Sequence, residues 1–316
     1  MPIASTNRIL AFTALLLTAA SLSADEPLKP TRIIDTHIHL YDTTREQGVP
    51  WPYKNSGHLY KPHLPADFAK AAKPLGVTDV VIVEASHWVE DNQWILDLVE
   101  GDDFYIGVVG NLNPASDDFA KHLERFAKNP RYVGIRVRNN DVKFELTPTV
   151  TKNLKLLAER DMTVDFLTGH ASLQTIAKLA EEIPKLRIIV DHCAGKGANG
   201  KPVDDQWKAD LHAAARHKNV YCKFSGMLEH AAEKPAPRDV EYYRPVLDEL
   251  WKAFGPQRLI HASNWPVVRN GGDYEQHLDL CYAYLRPKGK EALEQVFWQN
   301  AVKVYGVKIP ERREGR

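Results

Sequence analysis

Eight short runs rich in β-branched and apolar residues recur along this chain, each followed by a stretch with apolar residues at helical spacing. That alternation constrains the fold more than any other feature. The runs are RIID, TDVVIVE, FYIGVVG, YVGIRVR, MTVDFL, RIIVDH, VYCKFSG and RLIHAS. Between them lie helical patterns such as NQWILDLVEG, SDDFAKHLERFAKNP, VTKNLKLLAERD and SLQTIAKLAEEIPK, and many end in Gly or Pro, which stop helices. Strand then helix, eight times in 316 residues, predicts an α/β fold: a single-domain (β/α)8 TIM barrel over residues 31–310. An open, doubly wound sheet would alternate in the same way. It would usually carry a glycine-rich turn after its first strand, whereas the turn here is THIHLYD, without glycine. A hydrophobic fraction of 44% supplies ample material for one large core.

The first residues read differently. Arg8 precedes the apolar run Ile9 to Ala20, and SLSADE follows, which predicts a signal peptide over residues 1–24 with cleavage near Ser23 or Ala24. A transmembrane anchor needs about 20 apolar residues, and this run is shorter. Leu22 departs from the small-x-small cleavage pattern, so a retained anchor stays as the alternative. The expected location is periplasmic or secreted, with no membrane contact after cleavage. Lys plus Arg equals Asp plus Glu at 41 each, so no overall charge points to nucleic acid or an anionic surface. Cys193, Cys222 and Cys281 leave at least one thiol unpaired and lack zinc-ligand spacing.

Within the first run, RIIDTHIHLYD spans Arg32 to Asp42. On an alternating strand Asp35, His37 and His39 share a face, and two imidazoles so placed can share one ion. Taken alone, the pair reads more readily as exposed histidines alternating with core residues. The other strand ends bring company: Glu84 on strand two, Arg136 and Arg138 on strand four, His192 on strand six, Lys223 and Ser225 on strand seven, and Asn264 after strand eight. Each has a plain structural reading, such as Glu84 pairing with an arginine. Together they predict a site, because buried charges cost several kcal/mol unless paired or used, and a barrel mouth is where they are used. Trp51, Tyr53, His58, His87 and Trp88 fall in the loops after strands one and two. Their aromatic faces suit either a sugar ring or the barrel rim.

The blocks IIDTHIHLYD, RIIVDHCAGK, NVYCKFSG and HASNWPV, in this order and spacing, resemble the amidohydrolase superfamily. The resemblance is strongest to the amidohydrolase-related branch that includes L-fuconolactonases and 2-pyrone-4,6-dicarboxylate lactonase. It runs from about Arg32 to the terminal QNAVKVYG. It implies a barrel whose mouth hydrolyses a carbonyl compound, in this branch usually a cyclic ester of a sugar acid or dicarboxylic acid. It implies His37, His39 and His192 as ligands of a divalent metal, zinc first, or as direct polarisers of the carbonyl in a site without metal. It implies Arg136 as a contact to substrate oxygens. Arg138 shares its face by alternation, and with Lys223 the two guanidinium groups point to an anionic or polyhydroxy small molecule, with Trp88 and Tyr53 as candidates to pack on its ring. Asn264 falls where relatives commonly carry an aspartate. An amide has no basic site near neutral pH, so a base must come from elsewhere, with Glu84 or His192 the nearest by topology. Two alternatives stand beside an exported lactonase: a barrel that has lost turnover and binds a sugar or acid, and a metal-dependent decarboxylase. Oligomeric state is not legible in the sequence.

Overall fold

The computed structural model describes residues 27–137, 144–167 and 172–310. Eight strands appear in it: β1 (Ile34–Ile38), β2 (Asp79–Val83), β3 (Tyr105–Gly110), β4 (Tyr132–Val137), β5 (Thr163–Phe166), β6 (Arg187–Val190), β7 (Val220–Phe224) and β8 (Leu259–His261). They pair in chain order, every pair parallel. The ring closes through the first and last strands, where the His39 amide donates to the Trp265 carbonyl at 2.7 Å and the Asn264 amide to the His37 carbonyl at 2.8 Å. The outer layer is α1 (Pro65–Ala72), α2 (Glu90–Leu98), α3 (Phe119–Phe126), α4 (Pro148–Glu159), α5 (Leu173–Glu182), α6 (Asp205–Ala215), α7 (Val240–Phe254) and α8 (Tyr274–Leu285). The short helices α9 (Lys290–Glu294) and α10 (Asn300–Tyr305) follow. The predicted barrel is thus the observed one. No helix among the described residues is long and apolar enough to cross a membrane.

Local chemistry explains the alternation. Thr147, Ser172, Asp204 and Asp273 accept backbone amides at the starts of α4, α5, α6 and α8, satisfying donors that a helix leaves orphaned at its first turn. Helix α3 buries Phe119, Leu123 and Phe126, one stripe at helical spacing. Two apolar sets result. One lies between the sheet and the helices; the other fills the barrel, where Ile34, Val81, Val109, Ile189, Tyr221 and Ile260 meet Val304 and Tyr305 of α10. Tight strand contact needs glycine at Gly134, whose absent Cβ would stand 2.1 Å from Thr163 Oγ1.

Strict alternation fails at one place that matters. The β1–β2 register shifts between Asp35 and Ile38, and Asp35 turns its carboxylate towards α8, accepting from Tyr274 Oη at 2.9 Å and from the Ser263 amide at 2.9 Å. The shared face predicted for Asp35, His37 and His39 therefore holds for the two histidines alone, since an irregularity of this kind re-aims the side chains on either side of it.

Behind the barrel wall, His261 of β8 and His277 of α8 are fully buried with ring centroids 5.4 Å apart. Burial, with His261 beside it, holds the His277 pKa well below the usual 6.5. A histidine depressed in the fold leaves the unfolded chain alone to bind a proton below about pH 6.5, so stability is lost as pH falls from there. We expect His277→Leu to flatten that loss by roughly 1.4 kcal/mol per pH unit. Urea denaturation at pH 7 and pH 5.5 checks it, and equal slopes in both proteins would contradict it.

Candidate active site

Seen from the bottom of the barrel upwards, polar residues begin where the apolar filling ends. Tyr305 Oη donates to Asp165 Oδ2 at 2.9 Å. Lys223, fully buried, donates to the same oxygen at 2.6 Å and stands 3.0 Å from Asp191 Oδ1. Its ammonium is also 3.0 Å from His37 Nδ1, which lies 3.4 Å from Asp191 Oδ1. Above that, His37 Nε2 and His39 Nε2 are 3.3 Å apart. His39 Nδ1 is 3.0 Å from the Val83 carbonyl, which accepts the proton of this nitrogen and leaves Nε2 with its lone pair. His192 completes the cluster, its ring centroid 4.4 Å from that of His37 and its Nδ1 2.9 Å from Ser225 Oγ.

His192 reaches this position from an unusual backbone. His192, Cys193 and Ala194 have φ of 51°, 49° and 53°, three successive side chains in the left-handed region. Such conformations cost of order 1–3 kcal/mol each and persist where the surroundings impose them. Two of the imidazoles are disfavoured from taking a proton. Burial, then the charge of Lys223, keeps His37 well below the ordinary histidine range, and burial, then the neighbouring His37, does the same for His192. Asp165 is shifted upwards by burial and by Asp191 against the opposing pull of Lys223.

The structure thus brings His37, His39 and His192 together as the sequence predicts, with Arg136 beside them. Arg136 spends its fork internally: Nε donates to Glu84 Oε1 at 2.7 Å and Nη2 to the Glu84 carbonyl at 2.6 Å, leaving Nη1 3.5 Å from His37 Nε2. Glu84 is accordingly a partner of Arg136, and its charge is engaged in holding the guanidinium in place. Lys223, expected at the substrate, has no exposure, and its ammonium is engaged by Asp165, Asp191 and His37. Tyr53 is 67% exposed, because its loop turns it to solvent, and the aromatic beside the cluster is Trp51, 5.6 Å from His39 between centroids. Trp88 is half-buried and its ring packs on His87, 6.2 Å between centroids. Arg138 lies outside the described residues.

Three acidic residues escape the sequence reading. Asp165 and Asp191 stand inside the runs MTVDFL and RIIVDH, where a lone carboxylate in an apolar strand is the available signal. Glu229 stands in the β7–α7 connection, where Asn264 Nδ2 donates to its Oε1 at 2.6 Å. Asn264 has φ of 62°, a conformation that asparagine and aspartate tolerate best among residues with a side chain.

The donor set fits a divalent cation. Nitrogens 3.3 Å apart match the roughly 3.3 Å between ligands of a tetrahedral ion bound at about 2.0–2.1 Å. His37, His192 and the added Asp191 each offer a ligand atom within 4.8 Å of the others. Asp191 Oδ2 is buried without a hydrogen-bond partner among the described residues. Among the described residues, Arg136 pairs with Glu84 and Lys223 with both Asp165 and Asp191, one carboxyl group more than the cations they meet.

Removing the central charge should be costly. We expect Lys223→Met to destabilise the protein by roughly 3–5 kcal/mol near pH 8, since it strands two buried carboxylates. The cost should shrink towards pH 5: a carboxyl whose pKa is raised in the fold contributes stability at low pH that is lost as pH rises through the folded value. Denaturant midpoints at the two pH values measure it, and a small, pH-independent change would show that Lys223 does not hold the pair.

A family model described as amidohydrolase matches residues 34–307. An L-fucono-1,5-lactonase of Burkholderia ambifaria is 30% identical over 286 residues, 88% of this chain and 96% of the relative. Among solved structures, an amidohydrolase from Burkholderia multivorans with bound zinc superposes with a TM-score of 0.76 at 21% identity, over 88% of this chain and all of that one. A probable 2-pyrone-4,6-dicarboxylic acid hydrolase from Acinetobacter baumannii with citric acid bound gives 0.67 at 17% identity, over 87% and 99%.

Proposed function

This chain belongs to the amidohydrolase family and is a hydrolase of the lactonase-like kind, and from that premise we propose that it is an exported lactonase acting on a ring closed from a sugar acid or a dicarboxylic acid. The observation that carries the reading is the buried cluster His37, His39 and His192, packed at the strand ends with the Arg136 guanidinium against it. Neutral imidazoles are what a carbonyl-polarising site needs, as ligands or as donors to the oxygen that gains charge. The 30% identical relative acts, by its name, on L-fucono-1,5-lactone, which makes a sugar lactone the first ring to test.

A divalent metal, zinc first, would be held by His37, His39 and His192 with Asp191 at hand, and it would supply Lewis acidity at the carbonyl oxygen. The protein's own groups do the rest. Lys223 and Asp191 fix the His37 ring from beneath, Ser225 fixes His192, and the Val83 carbonyl sets the His39 tautomer. Arg136, held at two points by Glu84, turns one nitrogen to the mouth, suited to a carboxylate or a pair of hydroxyls. Trp51 closes the side beside His39.

The test is a panel of sugar-acid and pyrone-type lactones assayed by acid release, run beside a carbon dioxide assay and metal analysis of the purified protein. We expect acid release from at least one lactone, and loss of most of the metal and at least about a hundredfold in rate in His39→Ala. Carbon dioxide release without lactone opening would make the protein a decarboxylase, and ligand binding without turnover would make it a retired barrel. Export rests on residues 1–24, which lie outside the described residues. The exported protein should begin near Ala24 or Asp25 by intact mass, and Met1 retained in exported protein would refute the cleavage.

A further inference from the structure

Lactone hydrolysis needs a group that takes a proton from water, and among the described residues four carboxyl groups, those of Glu84, Asp165, Asp191 and Glu229, stand at the mouth or just beneath it. Glu84 is bound to Arg136 at two points. Asp165 and Asp191 have no exposure and flank Lys223 beneath His37. Glu229 is the remaining one. It is 9% exposed, and its Oε2 is buried with no hydrogen-bond partner among the described residues. An unpartnered buried carboxylate oxygen costs several kcal/mol, a cost that structures retain where the group is used.

Its position is held closely. Lys234 Nζ donates to the carbonyls of Leu228 and Glu229 at 2.8 and 2.7 Å. The next residue, His230, lays its ring 5.9 Å from that of His192. Gly271, in the loop after β8, approaches so closely that a Cβ there would stand 1.9 Å from the Leu228 carbonyl oxygen and 2.8 Å from the Glu229 nitrogen. The loop that carries Glu229 is thereby pressed against the loop that carries Asn264. Burial pushes the Glu229 carboxyl up to about 7, a basicity suited to proton transfer near neutral pH.

We propose that Glu229 is the general base of the site and that Asn264 is its positioning partner, holding Oε1 so that Oε2 faces the attacking water. The pairing accounts for the amide at position 264. An aspartate there would put a second carboxylate oxygen 2.6 Å from Glu229, and like charges at that distance cannot both ionise, whereas the asparagine Nδ2 donates. The inference rests on the lactonase reading. In the step itself, a water O–H bond breaks and its proton passes to Glu229 Oε2 as the water oxygen bonds to the lactone carbonyl carbon. When the ring C–O bond breaks, the departing ring oxygen takes that proton, which gives the open hydroxy acid and restores the carboxylate.

The test uses the full chain with L-fucono-1,5-lactone and the best lactone of the panel, comparing wild type with Glu229→Gln, Asn264→Asp and the double exchange Glu229→Gln/Asn264→Asp. Glu229→Gln should lower kcat about a hundredfold or more while KM moves only a few-fold. Asn264→Asp should also slow the reaction, because two carboxylates then share one proton. The double exchange should exceed both single variants in kcat, since amide and carboxylate trade places across one hydrogen bond, a rescue that a merely structural role would not produce. An active wild type whose kcat survives Glu229→Gln, or a folded double exchange no faster than either single variant, would overturn the assignment of Glu229 and leave the lactonase reading standing. A wild type inert on every lactone would overturn that reading, and the base with it.

Discussion

A lysine ammonium sealed inside a barrel is the constraint from which the rest of this site follows. Lys223 can stay there only because Asp165 and Asp191 match its charge, and those carboxylates can stay only because it does. The triad sits one layer below the imidazoles and touches the reacting region through His37 Nδ1 alone among them. Burial first, and then the positive charge that this contact sets against the lower edge of the cluster, leave His37 a ring that does not readily take a proton. The apolar filling below, capped by the Tyr305 hydroxyl, keeps water from relaxing the arrangement.

The mouth is therefore charged in its walls and neutral at its centre. Arg136 with Glu84 on one side and Lys223 with two aspartates beneath form closed ionic units, while between them His37 and His192 are held well below the ordinary histidine range. This division suits carbonyl chemistry, in which the reacting group starts neutral and gains charge only on the way to the tetrahedral intermediate. Fields fixed in advance by buried ion pairs act on that developing charge without having to reorganise.

The barrel and its imidazole cluster were legible because both depend on periodicity. Strand runs and strand-end residues recur with the chain, and topology then carries His37, His39 and His192 to one mouth. Depth was not legible. Lys223 and His192 both fall at strand ends in sequence, yet one lies a layer below the other, and only the inward alternation of Tyr221 and Lys223 on β7 hints at it. The shift in β1 was hidden for a related reason, since nothing in IIDTHI marks where strict alternation lapses. Glu229 was the hardest to find. It lies in an irregular connection with no period to read, and its meaning depends on a contact with Asn264, 35 residues away.

The close approach of Gly271 to the Leu228 carbonyl divides this mouth into two sides that differ in how freely a lineage can alter them. On the side of β7 and β8, main chain lies against main chain and no side chain fits between, so the geometry around Glu229 and Asn264 cannot drift one substitution at a time. On the side of β1, the wall is made of rings meeting edge to face, Tyr41 with Trp51 and His63, and His63 with Trp265. Rings can be exchanged singly for others of different size. Divergence among descendants of this barrel should then accumulate in the β1 loop, altering which ring is admitted while the opposite side keeps the reaction.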